Sequence, residues 1–83
     1  MNNLDTVRTI VADTLELGER GNSLSAETPL LGSIPELDSM AVVHLITALE
    51  EHYGFTVEDD EIEAETFSTV GTLVAFVDNK LAA

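Results

Sequence analysis

The stretch Pro35-Glu36-Leu37-Asp38-Ser39-Met40-Ala41-Val42-Val43-His44-Leu45-Ile46-Thr47-Ala48-Leu49-Glu50-Glu51 decides how the rest of this chain is read. Pro35 disfavours helical geometry at Ile34, so no helix runs unbroken through this point. Asp38 and Ser39 can each accept a hydrogen bond from the unpaired amides of a first turn, and an apolar run of helical period begins at once. A helix therefore starts at Asp38-Ser39. Its first turn offers unpaired N–H groups and the positive end of the helix dipole, so an anion attached at Ser39 would be stabilised there.

Along this helix Val42, Leu45, Ile46, Leu49 and Tyr53 recur on one stripe that forms a core face. Met40, Val43 and Thr47 make a second, shorter stripe beside it, starting one residue after Ser39. Periodicity alone leaves that stripe two readings: a contact surface for a partner, or a completion of the core. Gly54 is placed to end the helix in a left-handed cap.

Outward toward the N-terminus, Leu4, Val7, Ile10, Val11, Thr14 and Leu15 have the spacing of an amphipathic helix over about residues 4 to 17. Asn2 or Asn3 is its cap, Gly18 lies near its end, and Asp5, Asp13 and Glu16 form its solvated face. Between Gly18 and Leu37 no period is sustained, and Leu24, Leu30, Leu31, Ile34 and Leu37 are expected to pin a long ordered loop to the helices. Toward the C-terminus, Phe55 and Val57 anchor a turn into an acidic run from Glu58 to Glu65. Ile62 within it predicts a short helix of one to two turns lying over the core. The run lacks the spaced oxygen ligands and central glycine of an EF-hand loop, so it predicts loose ion screening and no dedicated metal site. Thr66, Ser68 and Thr69 offer caps for a final helix carrying Val70, Leu73, Val74, Val77 and Leu81, with Phe76 widening its buried face and Lys80 suiting its C-terminal end. The expected fold is all-α: a small four-helix bundle of three longer helices and one short one, in a single domain over residues 1–83.

Composition narrows the function. Eighty-three residues bury only roughly 60% of the unfolded surface, which makes a simple core of modest stability. A formal charge of −13, sixteen carboxylates against Arg8, Arg20 and Lys80, argues against nucleic acid or an anionic membrane and for basic partner surfaces. No stretch approaches the roughly 18 apolar residues of a membrane span, and the start lacks the basic residues of a secretory signal, so a cytoplasmic setting is expected. The chain has no cysteine, hence no disulfide, thiolate metal site or thiol nucleophile of its own. His44 and His52 have carboxylates nearby, but no nucleophile, ligand cluster or glycine-rich phosphate loop accompanies them, and an enzyme is not expected.

Asp38-Ser39-Met40 followed by an apolar amphipathic helix resembles the Asp-Ser-Leu attachment motif of acyl carrier proteins. The resemblance extends through Leu49-Glu50-Glu51, the Phe55-Thr56-Val57 turn and the final Thr-Val helix start, and covers nearly the whole chain. It implies a 4′-phosphopantetheine arm on Ser39 through a phosphodiester, acyl groups held on its terminal thiol, and a monomer that docks on successive enzymes. It also implies that Asp38, a cap in its own right, helps engage the magnesium-dependent phosphopantetheinyl transferase. Ile46, Leu49, Ile62 and Phe76 are the candidate lining for a sheltered acyl chain. Met40, Ala41, Val43, His44, Thr47, Glu50 and Glu51 are the candidate partner surface for acyl-loading and acyl-processing enzymes with basic or apolar docking faces.

The chain also departs from that family. Housekeeping carriers place acids on the exposed side of the two turns after the serine, whereas Ala41 and His44 stand there in this chain, and acidity resumes only at Glu50 and Glu51. Gly32-Ser33-Ile34-Pro35-Glu36-Leu37, together with Glu65-Thr66-Phe67-Ser68-Thr69-Val70-Gly71, is similar to specialised carriers associated with exosortase and exopolysaccharide loci. The alternative of a different class is an unmodified acidic interaction module that binds a basic protein. It accounts for the charge but not for Asp38-Ser39-Met40.

Overall fold

The computed structural model describes residues 3–30 and 38–82, leaving aside the side chains of Ser39 and Asp59. Among the described residues three α-helices carry the architecture: α1 (Asn3–Thr14), α2 (Ser39–Tyr53) and α3 (Val70–Ala82). Three 3₁₀ turns lie between them, at Gly18–Ser23, Asp59–Glu61 and Ala64–Phe67. Among the described residues there is no strand, only an isolated antiparallel bridge between Pro29 and Thr69. The structure is helical, as expected, with α1 packed against both α2 and α3.

The core follows the predicted stripes except at Leu81, which is 46% exposed in the last turn of the C-terminal helix. Val7 and Val11 of α1, Leu45, Ile46 and Leu49 of α2, and Val70, Leu73 and Val77 of α3 are buried together. Val42 and Tyr53 lie half-buried against them, at the edge of the stripe. Between α1 and α2, Leu24 and Leu30 enter the same core and pin the connection as anticipated, while Leu31, Ile34 and Leu37 lie outside the described residues.

Helix α1 is shorter than its apolar period, ending at Thr14 and not near residue 17. Glu16 takes a left-handed conformation (φ 54°), with the Leu17 amide donating to the Ala12 carbonyl at 2.9 Å and the Glu16 amide to the Asp13 carbonyl at 3.3 Å. This is a Schellman turn with glutamate where glycine is customary. It redirects the chain so that Leu15 and Leu17 both reach the core without being helical.

The short third helix is realised as the two 3₁₀ turns Asp59–Glu61 and Ala64–Phe67. Like charges three and four apart oppose a longer α-helix in this acidic run. Its anchor is also displaced: Phe67 is buried, whereas Ile62 is 37% exposed and does not cover the core.

The start of α3 is tied into the α1–α2 connection. Thr28 O accepts from the Val70 amide at 3.0 Å, Ala26 O from the Gly71 amide at 2.8 Å, and Ser68 O from the Leu30 amide at 2.9 Å. A β-carbon at Gly71 would stand 2.8 Å from Ala26 O, so only glycine admits this approach. Of the three proposed caps Thr69 serves: its Oγ1 accepts from the Thr72 amide at 3.1 Å, and its own amide donates to Thr72 Oγ1 at 3.0 Å. The connection thereby supplies acceptors for first-turn amides that a helix cannot satisfy internally.

Candidate functional site

The exposed end of α2 is built by Asp38. Its backbone is extended (φ −106°, ψ −173°), its side chain accepts from the Ala41 amide at 2.8 Å, and its carbonyl accepts from the Val42 amide at 3.0 Å. Asp38 is thus the N-cap, and Ser39 is the first helical residue. The Asp38 carboxylate serves the third amide of the turn, while the Ser39 and Met40 amides have no partner within the helix. An anion bonded at Ser39 would meet those donors and the dipole end. Asp38 and Met40 on either side are exposed. In these respects the residues present fit a serine-linked phosphodiester.

The second stripe is surface. Met40 is 63% and Val43 54% exposed, and neither belongs to the core. Thr47 is exposed too, and its hydroxyl donates to the Val43 carbonyl at 3.0 Å, which uses its polarity inside the helix. Ala41 is half-buried and His44 exposed, so the turns of α2 that follow Ser39 present an apolar ridge, and the first acids within the helix itself are Glu50 and Glu51.

The remaining candidates lie in different settings. Glu51 is exposed, but Glu50 turns inward: its Oε2 accepts from the Val57 amide at 2.7 Å and clamps the chain after α2. The sequence gives no local signal for this bond, since its partners are seven residues apart and meet only because Gly54 (φ 79°) reverses the chain. Of the candidate acyl lining, Ile46 and Leu49 sit in the core and Ile62 is exposed. Phe76 is half-buried along a groove of about 290 Å³ beside Thr66, Thr72, Ala75 and Asn79. His44 and His52 are both exposed, and His52 packs its ring edge-on against Tyr53 with centroids 4.8 Å apart.

An acidic bundle of three α-helices, the second capped by aspartate and opened by serine at an exposed end, defines a small helical domain whose distinctive chemistry lies at one helix start. Comparison with known proteins agrees in detail. Residues 5–77 match the family described as phosphopantetheine attachment site. The chain is 36% identical over 80 residues to the acyl carrier protein of Thermosynechococcus vestitus, covering 96% of this chain and 93% of that one. It is 32% identical over 66 residues to the acyl carrier protein of Exiguobacterium sp., covering 80% of each. Among solved structures it resembles the solution NMR structure of a holo acyl carrier protein from Nitrosomonas europaea, at 58% identity and a TM-score of 0.92 over the full length of both chains. A holo acyl carrier protein from Geobacter metallireducens matches at 30% identity and a TM-score of 0.78, over 99% of this chain and 88% of that one. The chain belongs to the phosphopantetheine-attachment family, with the acyl carrier proteins. It is a carrier and not an enzyme, and the cofactor of its family is covalently held 4′-phosphopantetheine.

Proposed function

We propose that Ser39 bears the 4′-phosphopantetheine arm, and that residues 1–83 act as one acyl-carrier domain holding acyl intermediates as thioesters in a specialised lipid, polyketide or polysaccharide-linked pathway. The observation that carries the assignment is the placement of Ser39 as the first residue of α2, directly after its Asp38 cap and between exposed neighbours. When bound, the arm supplies the thiol that this cysteine-free chain lacks. The chain's own contribution is to hold the attachment point rigid, to offer two helix amides to the phosphodiester, and to present α2 to each enzyme in turn.

The specialised pathway is supported by the ridge of Met40, Val43 and Thr47 and by the absence of acid at Ala41 and His44. A basic docking groove gains little from such a surface, while an apolar one gains area. The partners are then a phosphopantetheinyl transferase, which installs the arm, and acyl-loading and acyl-processing enzymes with apolar docking faces.

Co-expression with a broad-specificity phosphopantetheinyl transferase followed by intact-mass measurement tests the attachment. The wild type gains one phosphopantetheine, and Ser39→Ala keeps its helical circular dichroism but gains none. An arm mapped to Ser33 or Ser68, or no gain in the wild type, overturns the assignment.

A further inference from the structure

Residues 55–63 leave α2 at Gly54 and return to the bundle at the buried Phe67. At its start Phe55 and Val57 lie half-buried against the core, and beyond Val57 the strap is fastened chiefly by charge. Phe55 stacks on Tyr53 with ring centroids 5.6 Å apart, and Glu50 accepts from the Val57 amide. Farther along, Glu61 Oε2 accepts from the Glu58 amide at 2.8 Å, and both Glu61 oxygens accept from Lys80 Nζ of α3, at 2.9 and 3.0 Å. The same ammonium stands 6.0 Å from the centre of the Phe55 ring. Ile62, the apolar residue of this acidic stretch, is exposed and contributes little packing to hold it.

We propose that residues 55–63 form a latched strap that opens as a unit between Gly54 and Phe67 while the bundle stays folded, with the Lys80–Glu61 pair as its latch. One end is a left-handed glycine that bears no packed side chain, and the other is a core residue that stays in place. Lys80 is one of only three Lys and Arg residues against sixteen carboxylates, so losing its charge leaves the strap's carboxylates repelling one another unopposed at this point. Opening uncovers the Phe55 ring and frees the ammonium.

The Glu61 carboxyl titrates below its ordinary value of 4.5, first because the Glu58 amide donates to it and then because Lys80 does. Lys80 is the charged group facing it from α3, and on the strap its described neighbours are the exposed carboxylates Glu58, Asp60 and Glu63. A lowered folded-state value means that this tie is complete above 4.5 and is lost as pH falls through the lower value.

Amide hydrogen exchange on the full chain tests the latch, because three strap amides report it: Val57 bonded to Glu50, Glu58 to Glu61, and Glu61 to the Glu58 carbonyl at 3.0 Å. At neutral pH these should exchange through openings smaller than global unfolding. Lys80→Met and Glu61→Gln should each speed them about two- to fivefold, the range for a partly exposed ion pair, with the amides of Val11 in α1 and of Leu15 just after it unchanged. Exchange of strap and α1 amides at one common rate in the wild type, an equal acceleration of both in the variants, or no acceleration in either variant overturns the proposal.

Discussion

At the scale of single residues, the position most at odds with its backbone is Glu16. A β-carbon at positive φ costs about 1 to 2 kcal/mol, part of which glycine offsets by its greater freedom in the unfolded chain. Glu16→Gly should therefore raise stability by about 1 kcal/mol, measured as a higher urea midpoint at unchanged slope. An unchanged or lower midpoint would mean that the Schellman turn is not held in the left-handed form in solution. Asp38 illustrates the opposite case, a residue whose chemistry suits its backbone. Its carboxylate takes a first-turn amide, so Ser39 is left as the residue that opens the helix and not as its cap. The sequence allowed either Asp38 or Ser39 as cap, because both side chains are competent and only the backbone path selects between them.

At the scale of elements, α2 separates its two apolar stripes between core and solvent. Leu45, Ile46 and Leu49 enter the shared core, on the side packed by α1, while Met40 and Val43 remain outside. An exposed apolar ridge on the helix that opens at Ser39, the proposed attachment point, is the feature by which a partner enzyme would distinguish this carrier. Loaded with an acyl group, the protein should be turned over poorly by a fatty-acid ketosynthase, and the Ala41→Asp, His44→Glu double variant should improve kcat/KM by restoring the acids such enzymes steer by. Efficient turnover of the unaltered protein with no gain in the variant would show that this surface does not set partner choice. The acidic run after α2 shows a second element-scale effect. Its composition implies a short helix, but mutual repulsion holds it to two 3₁₀ turns, and its fastening comes from Lys80 in a different element.

For the whole molecule, a charge of −13 on 83 residues makes self-repulsion a term in stability. Added salt screens the repulsion among sixteen carboxylates while weakening only a few ion pairs, such as Arg8–Asp5 and Lys80–Glu61. The melting temperature should rise with sodium chloride, and magnesium or calcium should produce the same rise at lower concentration. A melting temperature independent of ionic strength would show that repulsion does not limit the stability of this fold.

The sequence by itself determined the order of the helices, their inward stripes, the left-handed end of α2 at Gly54, and the place of Ser39 at a helix start. These depend on period, capping and chirality, which act over a few neighbouring residues. Tertiary structure alone decided that Met40 and Val43 face outward, that α1 stops at Thr14, that Glu50 turns to Val57, and that Lys80 closes on Glu61. It also set Gly71 against Ala26, a contact between segments forty-five residues apart. Each of these rests on groups that are distant in the chain or on a reversal of its path, so no local pattern encodes it. Whether the second stripe of α2 is buried as well depends on how far α1 and the rest of the core reach around that helix, and that placement exists only once the bundle has formed.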